Sequence, residues 1–595
     1  MSVESAVHTP VTAVRRRYAA RLSSGNRAHI AGVGALTTVI AAIYSAYGLV
    51  LYATYRDRSY DLVIFDQSVR SYSRFHLGVS IIKGLHDGFS ANFSVLGDHF
   101  SPIDIALAPL YWIWDGPQTL LVAEPVLFAL AIPWIWVFTR RAFGGGGWKA
   151  TTAAYLVSVA YGLSWPIAAA VAYGYHEVAF APLLIAIAFE RLQAGKLRGG
   201  LIALGLLLLV KEDMGLLVAG IGAALAVSFS PWIRRQRLVG VLLILAGVAY
   251  TLLATDVLIP AFGGRADYYW AYSALGKNVP QLVLHIIEHP GQFLRTMFVP
   301  SVKLLTMEWL LAPFCLLPLL SPLSLAALPL LAERMQGAHH PTWWGTTWQY
   351  NAFLVVILVL AAVDGAARLE RWVRRFWRYM GAGESSRAVV ADADGAGAPA
   401  RGGPAGVLSL AAVEAEQPAA EALPANTGLT TSSPLEGSRQ IPANLVALLC
   451  CAAICLAALY TVPKFALGQA LHPSFYQQTA SSRAAAAADA VVPAGVVVAA
   501  ANLVGPELSR RDTVLLWDGD GYTPPFAAPW VVADVQRPDV HFGGLAQQRA
   551  DVTYLRQHGY QVVFERDGYI VLHRPGPPHL TVASQRVTFG PVPPR

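Results

Sequence analysis

Apolar stretches long enough to cross a bilayer recur along the first 462 residues of this chain. A helical crossing of the hydrocarbon core takes about 20 apolar residues. The chain is 55% hydrophobic and only 14% charged, whereas soluble domains carry about 25% charged residues. These features predict a mainly α-helical polytopic membrane protein with the lipid bilayer as a partner, and they exclude an ordinary soluble enzyme.

Positive charge is concentrated beside the apolar runs. The net charge is +7, and much of it lies at 15–27 and 368–378. Anionic lipid headgroups are the ordinary partner of such segments, so nucleic acid is not an expected partner. The four cysteines lie in apolar runs, which is typical of small buried residues rather than of a disulfide framework or a zinc site.

The apolar runs predict about eleven membrane crossings. Lys and Arg are retained on the cytoplasmic side during insertion, so the arginines around the first runs predict a cytoplasmic N-terminus. An odd number of crossings then places the C-terminus outside the cytoplasm. The predicted crossings are 29–53, 118–139, 149–170, 177–192, two within 199–230, 238–260, two within 300–333, 351–367 and 442–462.

Composition also divides the chain into parts. Residues 371–441 are rich in Ala, Gly, Pro, Ser and Glu, so we expect a disordered cytoplasmic linker there. Beyond 463, strand-like runs alternate with helix-like segments (482–490 and 547–557), which predicts a small extracytoplasmic α/β domain. The predicted parts are a basic cytoplasmic N-terminus (1–28), a transmembrane core (29–370) with a large first outer loop (54–117), the linker (371–441), a last span (442–462) and the α/β domain (463–595). The strands predicted in the α/β domain are 495–500, 513–517, 530–534, 561–564 and 569–573.

The first outer loop carries a carboxylate and two arginines at helical spacing. Asp66 and Arg70 are four residues apart and Arg74 follows one turn later, so they share a helix face. A carboxylate beside guanidinium groups suits a general base next to a phosphate-binding site. An ordinary ion pair on a solvated helix explains the same spacing, because surface ion pairs are common and weak.

Acids and histidines recur in other loops predicted to face the same side. Asp98 and His99 precede an apolar segment, where Asp98 is either a helix N-cap or a ligand for a metal or a substrate hydroxyl. His176 and Glu177 lie in a turn between predicted spans, where such residues either serve a site or anchor a helix end at the interface.

Three ionisable residues, Lys211, Glu212 and Asp213, interrupt an apolar stretch. Charges at the bilayer centre cost roughly 2.5–3.5 kcal/mol each on insertion scales, so such residues indicate a functional site by default. The alternative is a short outer turn in which all three side chains are hydrated.

Aromatic outer segments and an acidic turn complete the candidates. Tyr269 and Trp270, and the tryptophans of 339–350, have faces that stack on sugar rings, although interfacial aromatic belts are the commoner cause of such clusters. Asp518 and Asp520 imitate a metal-binding Asp-x-Asp motif, and a Gly-rich acidic turn is the simpler explanation. No metal ligand is therefore assigned.

Five segments together resemble a known family. They are YDLVIFDQSVRSYSRF (60–75), LGDHFSPI (96–103), AYGYHEVAFAPLL (172–184), LLLVKEDMGL (207–216) and VLIPAFGG (257–264). In this order they resemble a large family of bacterial multi-span membrane proteins classed as a domain of unknown function. That family is similar to the GT-C glycosyltransferases, which use polyprenyl-phosphate sugars, and the resemblance covers about residues 30–370.

The resemblance implies a GT-C-like core in the bacterial plasma membrane. It implies an inverting transfer of a sugar from a polyprenyl-phosphate donor to a glycan, lipid or protein acceptor outside the cytoplasm. A catalytic acid is expected early in the first outer loop, where Asp66 fits as the general base, and a second near its end, where Asp98 fits. The Tyr-His pair usual before the last core span is replaced here by Tyr350-Asn351.

The other candidates take supporting roles in this hypothesis. The departing phosphate is held by Arg70, Lys211 or Arg74, and the acceptor is bound by the aromatic loops and the C-terminal domain. The residues that orient the sugar hydroxyls or an optional divalent ion are Asp98, His176, Glu177 and Asp213. Further substrate-binding or phosphate-binding candidates are His99, Glu212, Tyr269 and Trp270.

Two other functions stay open at this point. Buried Lys-Glu-Asp clusters also indicate ion and proton pathways, so the chain is alternatively a transporter or a lipid flippase. Such proteins often contain inverted repeats, and no repeat is evident here. A non-catalytic envelope-assembly protein that presents its outer domain to partners is the third hypothesis.

Overall fold

Helices dominate the computed structural model, which describes residues 9–57, 59–228, 231–265, 270–338, 340–394, 445–519 and 528–578. The mainly helical class is thus as predicted. The helices up to residue 461 are α1 (Thr9–Ala53), α2 (Ser59–Ser73), α3 (Ile81–His86), α4 (Ala108–Tyr111), α5 (Gln118–Ala129), α6 (Ile132–Ala142), α7 (Gly147–Gly162), α8 (Trp165–Tyr173), α9 (Phe180–Gln193), α10 (Leu197–Leu208), α11 (Met214–Val227), α12 (Gln236–Leu253), α13 (Ile259–Ala261), α14 (Val279–Glu288), α15 (Pro290–Phe298), α16 (Ser301–Leu311), α17 (Leu328–Gln336), α18 (Ala352–Asp394) and α19 (Val446–Thr461).

Six helical segments among the described residues are long and apolar enough to span a membrane, or seven if a bent pair counts as one span. The prediction of about eleven crossings is therefore not confirmed. The segments are Arg27–Ala53, Gln118–Ala142, Gly147–Tyr173, Gln236–Ala261, Gln349–Trp377 and Val446–Lys464, and the pair is Pro290–Phe298 with Ser301–Phe314, bent by 74°.

The unconfirmed crossings coincide with apolar runs that fold into shorter helices. Helices α9, α10 and α11 contain 14, 12 and 14 residues, fewer than the roughly 20 that a crossing needs. The charged turn 211–213 separates α10 from α11. The apolar region 300–333 is divided into short helical pieces by Pro313, Pro318, Pro322 and Pro329. Hydropathy summed over a window does not register these breaks.

Close packing of α11 against α12 positions the charged turn. A Cβ atom on Gly215 of α11 would overlap the carbonyl oxygen of Gly247 on α12, and such small residues let membrane helices approach closely. The Thr251 hydroxyl of α12 donates to the carbonyl oxygen of Glu212 at 3.2 Å. The N-terminal end of α11, and the turn that precedes it, are thereby held against α12.

A five-stranded mixed sheet lies in the C-terminal part of the chain. The predicted strands and the two predicted helices there are confirmed to within two residues at each end. Strands β2, β1 and β3 are parallel, and β5 runs antiparallel between β3 and β4. The elements are β1 (Val497–Ala500), β2 (Thr513–Leu516), β3 (Trp530–Asp534), β4 (Gln561–Arg566) and β5 (Tyr569–His573), with α20 (Ala480–Val491), α21 (Gly505–Leu508) and α22 (Leu545–Gln557).

The sheet packs against the loop that follows α1. Val63 of α2 shares a buried apolar cluster with Val514 of β2, and Leu85 of α3 shares another with Leu515. The side chain of Gln67 donates to the carbonyl oxygen of Val514 at 2.8 Å. Helices α2 and α3 and the sheet are therefore one packed unit.

Helix α18 extends beyond the span predicted there. The prediction starts a disordered linker at 371, whereas the helix continues to Asp394. Glu370 and Arg374 form an ion pair one turn apart on this extension, which supports helix. The rest of the predicted linker, from 395 to 441, lies outside the described residues.

Candidate functional site

Three segments far apart in the sequence meet at one end of the helical part. Nδ1 of His99 lies 2.8 Å from Oε1 of Glu212, and the Phe100 N–H donates to Oε2 of the same carboxylate at 3.1 Å. Nζ of Lys211 lies 3.1 Å from Oε1 of Glu177. The first loop, the turn before α9 and the turn before α11 are therefore in direct contact.

A glycine turn positions His176. Gly174 adopts a φ of +93°, which residues with a side chain rarely adopt. The His176 ring then lies 3.0 Å from the Gly174 carbonyl oxygen through Nδ1 and stacks on Tyr173 at 5.1 Å. Nε2 of His176 is 3.9 Å from Asp61 of α2, and the Tyr173 hydroxyl donates to the same carboxylate at 2.7 Å. His176 thus links α8 to α2.

A cavity of about 510 Å³ lies beside these turns, and we call it the amphiphilic cavity. One part of its wall carries ionisable side chains and the rest is mostly apolar. The volume of the cavity is in the range of small-molecule sites, which is about 300–1,000 Å³, and its wall combines a polar with an apolar part. The ionisable part includes His99, Lys211, Glu212, Asp213, Glu333 and Arg334, and the apolar part includes Leu216, Val248, Leu252, Leu282, Phe293 and Leu330.

Asp213 has a buried carboxylate oxygen, Oδ1, that accepts no hydrogen bond from the described residues. Burial raises the pKa of Asp213 to about 7, because the charge of Lys211 offsets only part of the desolvation and Glu212 adds to the rise. A carboxylate that titrates near neutrality suits proton uptake from a reacting hydroxyl.

Opposite charges keep the neighbouring groups ionised. Burial disfavours the charged form of Glu212, but the charge and hydrogen bond of His99 lower the pKa of that carboxyl to about 2. Burial likewise disfavours the charged form of Lys211, yet Glu177 and Asp213 raise its pKa well above the ordinary value. The amphiphilic cavity therefore presents an ammonium group beside a carboxylate that can exchange a proton.

Glu333 and Arg334 on α17 are functional candidates that sequence reasoning missed. Burial raises the pKa of Glu333 to about 8, Asp213 adds to the rise, and the Tyr272 hydroxyl donates to Oε1 at 3.2 Å. Burial lowers the pKa of Arg334 to about 10, and its guanidinium donates to the Tyr350 carbonyl oxygen at 2.8 Å. The sequence did contain a signal for them, because Glu333 and Arg334 are adjacent charged residues at the end of an apolar stretch, as Lys211, Glu212 and Asp213 are within another.

Asp66 and Asp98 do not belong to the wall of the amphiphilic cavity. The fully buried Asp66 carboxylate accepts hydrogen bonds from the hydroxyls of Tyr111 and Ser509, each at 2.8 Å, and pairs with Arg70 at 2.7 Å. The Asp98 carboxylate pairs with Lys83 at 3.1 Å. Sequence spacing showed the Asp66–Arg70 pair, but not the two hydroxyls that complete its surroundings.

Arg70 and Arg74 face a second cavity and are separated from Lys211. Both pair with Asp115, at 2.5 and 3.2 Å, and both line a space between α2 and the sheet. The sequence hypothesis assigns the departing phosphate to Arg70, Lys211 or Arg74, and Lys211 lines a different cavity from the two arginines. The separation arises because the Phe65 side of α2 faces the 174–177 turn, with the Phe65 ring 5.4 Å from that of His176. Arg70 lies on another side of α2, and Arg74 lies just beyond its end.

The remaining candidates have different outcomes. Trp270 lines the amphiphilic cavity, and its indole N–H donates to the Gly276 carbonyl oxygen at 2.7 Å. Tyr269 and Asp520 lie outside the described residues. Asp518 is 2.5 Å from Nδ1 of His86. Within the described part of the chain, no group of three or more His, Cys, Asp or Glu side chains is arranged to hold a metal ion.

Comparison with known proteins identifies the family of this chain. No curated protein matches the chain. The family described as predicted membrane protein (DUF2079) matches residues 50–382, which is more than half of the chain. The match includes the first loop, the turn before α9, the turn before α11 and α17. The chain therefore belongs to the DUF2079 family of predicted membrane proteins.

Proposed function

We propose that this protein transfers a sugar from a polyprenyl-phosphate donor to an acceptor on the outer side of the bacterial plasma membrane. The observation that carries the proposal is the division of the amphiphilic cavity into a charged part and an apolar part. A lipid-linked sugar has the same division, since its prenyl chain is apolar and its phosphate and sugar are polar. The small α/β domain packs against the loop that follows α1, which the N-terminal arginines predict to lie outside the cytoplasm, so this domain would adjoin the acceptor.

The charged part of the wall supplies the groups that an inverting transfer needs. The acceptor oxygen bonds to C1 of the sugar and gives its proton to the Asp213 carboxylate. The bond between C1 and the phosphate oxygen breaks, and its electron pair leaves with the polyprenyl phosphate. Lys211, charged and on the same wall, stabilises that developing negative charge, a contribution that is usually large in enzymes.

We assign the general base to Asp213 rather than to Asp66. Both oxygens of Asp66 already accept hydrogen bonds or an ion pair, so a substrate hydroxyl would have to displace one of these donors. Asp213 has an oxygen without such a donor among the described residues and lines the amphiphilic cavity. Asp66 and Asp98 are positioning residues in this proposal.

The test compares the lipid-linked sugars of cells that carry the wild type, a deletion, Asp213→Asn or Glu288→Gln. Glu288 is the matched control, because it is an exposed carboxylate outside the cavity wall. We expect the deletion and Asp213→Asn to accumulate a polyprenyl-phosphate sugar that impermeant periodate oxidises in intact cells, and Glu288→Gln to match wild type.

Two outcomes would contradict the transferase. Accumulation that periodate reaches only in permeabilised cells would indicate a lipid flippase, since the sugar would then remain on the cytoplasmic side. An unchanged profile in the deletion strain would favour an assembly protein without catalytic activity.

A further inference from the structure

A second cavity, of about 430 Å³, lies between α2 and the sheet, and we call it the arginine cavity. The proposed sugar transfer does not use it. Its wall carries the guanidinium groups of four arginines and the carboxylates of Asp115 and Asp512. The arginines are Arg70, Arg74, Arg510 and Arg511.

Two of these arginines are already neutralised. Arg70 pairs with Asp66 at 2.7 Å and with Asp115 at 2.5 Å. Arg511 pairs with Asp489 at 2.7 Å and with Asp512 at 3.3 Å. These ion pairs hold the two side chains in the wall of the cavity. The other two arginines are therefore the ones that can bind a ligand.

Arg74 and Arg510 have donors left for a ligand. The Arg74 side chain is 63% exposed and meets Asp115 through a single nitrogen at 3.2 Å. Arg510 lies over the ring of Trp114 at 4.6 Å and has no ion pair among the described residues. Guanidinium groups present forked N–H donors that match the oxygens of a phosphate.

The surface next to the arginine cavity is strongly apolar. Trp112, Ile113 and Trp114 are 63%, 82% and 48% exposed, and the neighbouring Phe75 and Leu77 are exposed as well. The rings of Phe75 and Trp112 are 6.1 Å apart, which joins the exposed residues after α2 to those at 112–114. Tryptophans in such patches sit at the boundary between acyl chains and water, which argues for a cavity at the level of lipid phosphates.

We infer that the arginine cavity binds the phosphate group of a lipid at the surface of the bilayer. Arg74 and Arg510 contact the phosphate oxygens, and the patch at 112–114 contacts the acyl chains. The same phosphate chemistry could be supplied by a soluble compound, so lipid and free phosphate are separate arms of the test. The inference does not depend on sugar transfer in the amphiphilic cavity.

The experiment measures ligand binding to the full-length protein in neutral detergent by native mass spectrometry. The probes are dioctanoyl phosphatidic acid, dioctanoylglycerol, which has the same tails without the phosphate, and inorganic phosphate. We expect phosphatidic acid alone to bind with appreciable affinity. Arg510→Gln and Arg74→Gln should each weaken it about tenfold, because each removes a charge-assisted hydrogen bond.

Two further variants keep the experiment decisive. Arg556→Gln removes the same charge from an exposed site on α22 outside the cavity wall and should bind like wild type. Arg510→Lys keeps the charge and should retain more binding than Arg510→Gln, which separates loss of the phosphate contact from loss of fold.

Three results would overturn the inference. Equal binding of dioctanoylglycerol would show that the acyl chains alone are recognised. Equal loss in Arg556→Gln would show a general charge effect. Inorganic phosphate binding as tightly as phosphatidic acid would assign the site to soluble phosphate compounds instead of lipids.

Discussion

Nδ1 of His99 and Oε1 of Glu212 are 2.8 Å apart although 113 residues separate them in the chain. The contact joins the end of the first loop to the turn before α11, and Lys211 extends the same junction to Glu177. It places Asp213 at the wall of the amphiphilic cavity. Contacts between charged side chains, as well as helix packing, therefore hold these segments in their relative positions.

Glu212→Gln should reduce the stability of the protein near pH 6. The pKa of Glu212 is lowered from 4.5 to about 2, so its contribution is present above pH 4.5 and is lost as the pH falls toward 2. The pKa of His99 is raised from 6.5, so its contribution is present below pH 6.5 and is lost as the pH rises through the raised value. Wild type should gain most from the pair between pH 4.5 and 6.5.

Thermal unfolding in detergent across this pH range checks the prediction. A hydrogen bond to a charged group contributes about 2 kcal/mol, so Glu212→Gln should melt several degrees lower at pH 6 and show a flatter pH dependence. Glu288→Gln, at an exposed position, should melt like wild type. Identical curves for wild type and Glu212→Gln would mean that the pair contributes nothing.

The rate of sugar transfer should depend on the ionisation of Asp213. Because burial raises its pKa to about 7, the base form is depleted below neutrality, and the rate should fall with each unit of pH below that value. Asp213→Asn should lose about 100-fold or more of the rate, the range expected for a missing general base, without a change in melting temperature. An acidic limb near pH 4 would instead indicate a base with an ordinary carboxyl pKa.

Asp66→Asn should act on stability and activity together. The substitution leaves the buried Arg70 guanidinium with Asp115 alone, and breaking a buried ion pair costs about 3–5 kcal/mol. Ser509→Ala removes one donor to the same carboxylate and should cost about 1–2 kcal/mol. Melting temperature and transfer rate measured on the same preparations check both. Loss of activity in Asp66→Asn at an unchanged melting temperature would make Asp66 the base.

Cysteine labelling should show the first loop outside the cytoplasm. Asn92 is exposed in the first loop, and Gly146 is exposed in the turn between α6 and α7, next to Arg140 and Arg141. In a variant without the four native cysteines, Asn92→Cys should react with an impermeant maleimide in intact cells, and Gly146→Cys only after permeabilisation, because basic turns stay in the cytoplasm. The reverse pattern would invert the topology and place the amphiphilic cavity on the cytoplasmic side.

Local sequence patterns predicted the secondary structure of the C-terminal part well. The run 530–534 and the run 569–573 are strands with the predicted bounds, because short β-branched runs bounded by turn residues carry their own signal. The same reasoning predicted more crossings than the six or seven segments that are long and apolar enough among the described residues, since the turn at Lys211 and the prolines at 300–333 end helices without lowering the hydropathy of a long window.

The sequence by itself determined that the chain belongs in a membrane and which short motifs carry ionisable groups, because both properties depend on residues that are near neighbours in the chain. Only the tertiary structure decided that Arg70 and Arg74 face the sheet while Lys211 faces the amphiphilic cavity with Glu333. Which cavity each of these side chains lines depends on how α2 is oriented in the fold and on where α17 packs. Contacts between distant segments set both, and no local spacing records them.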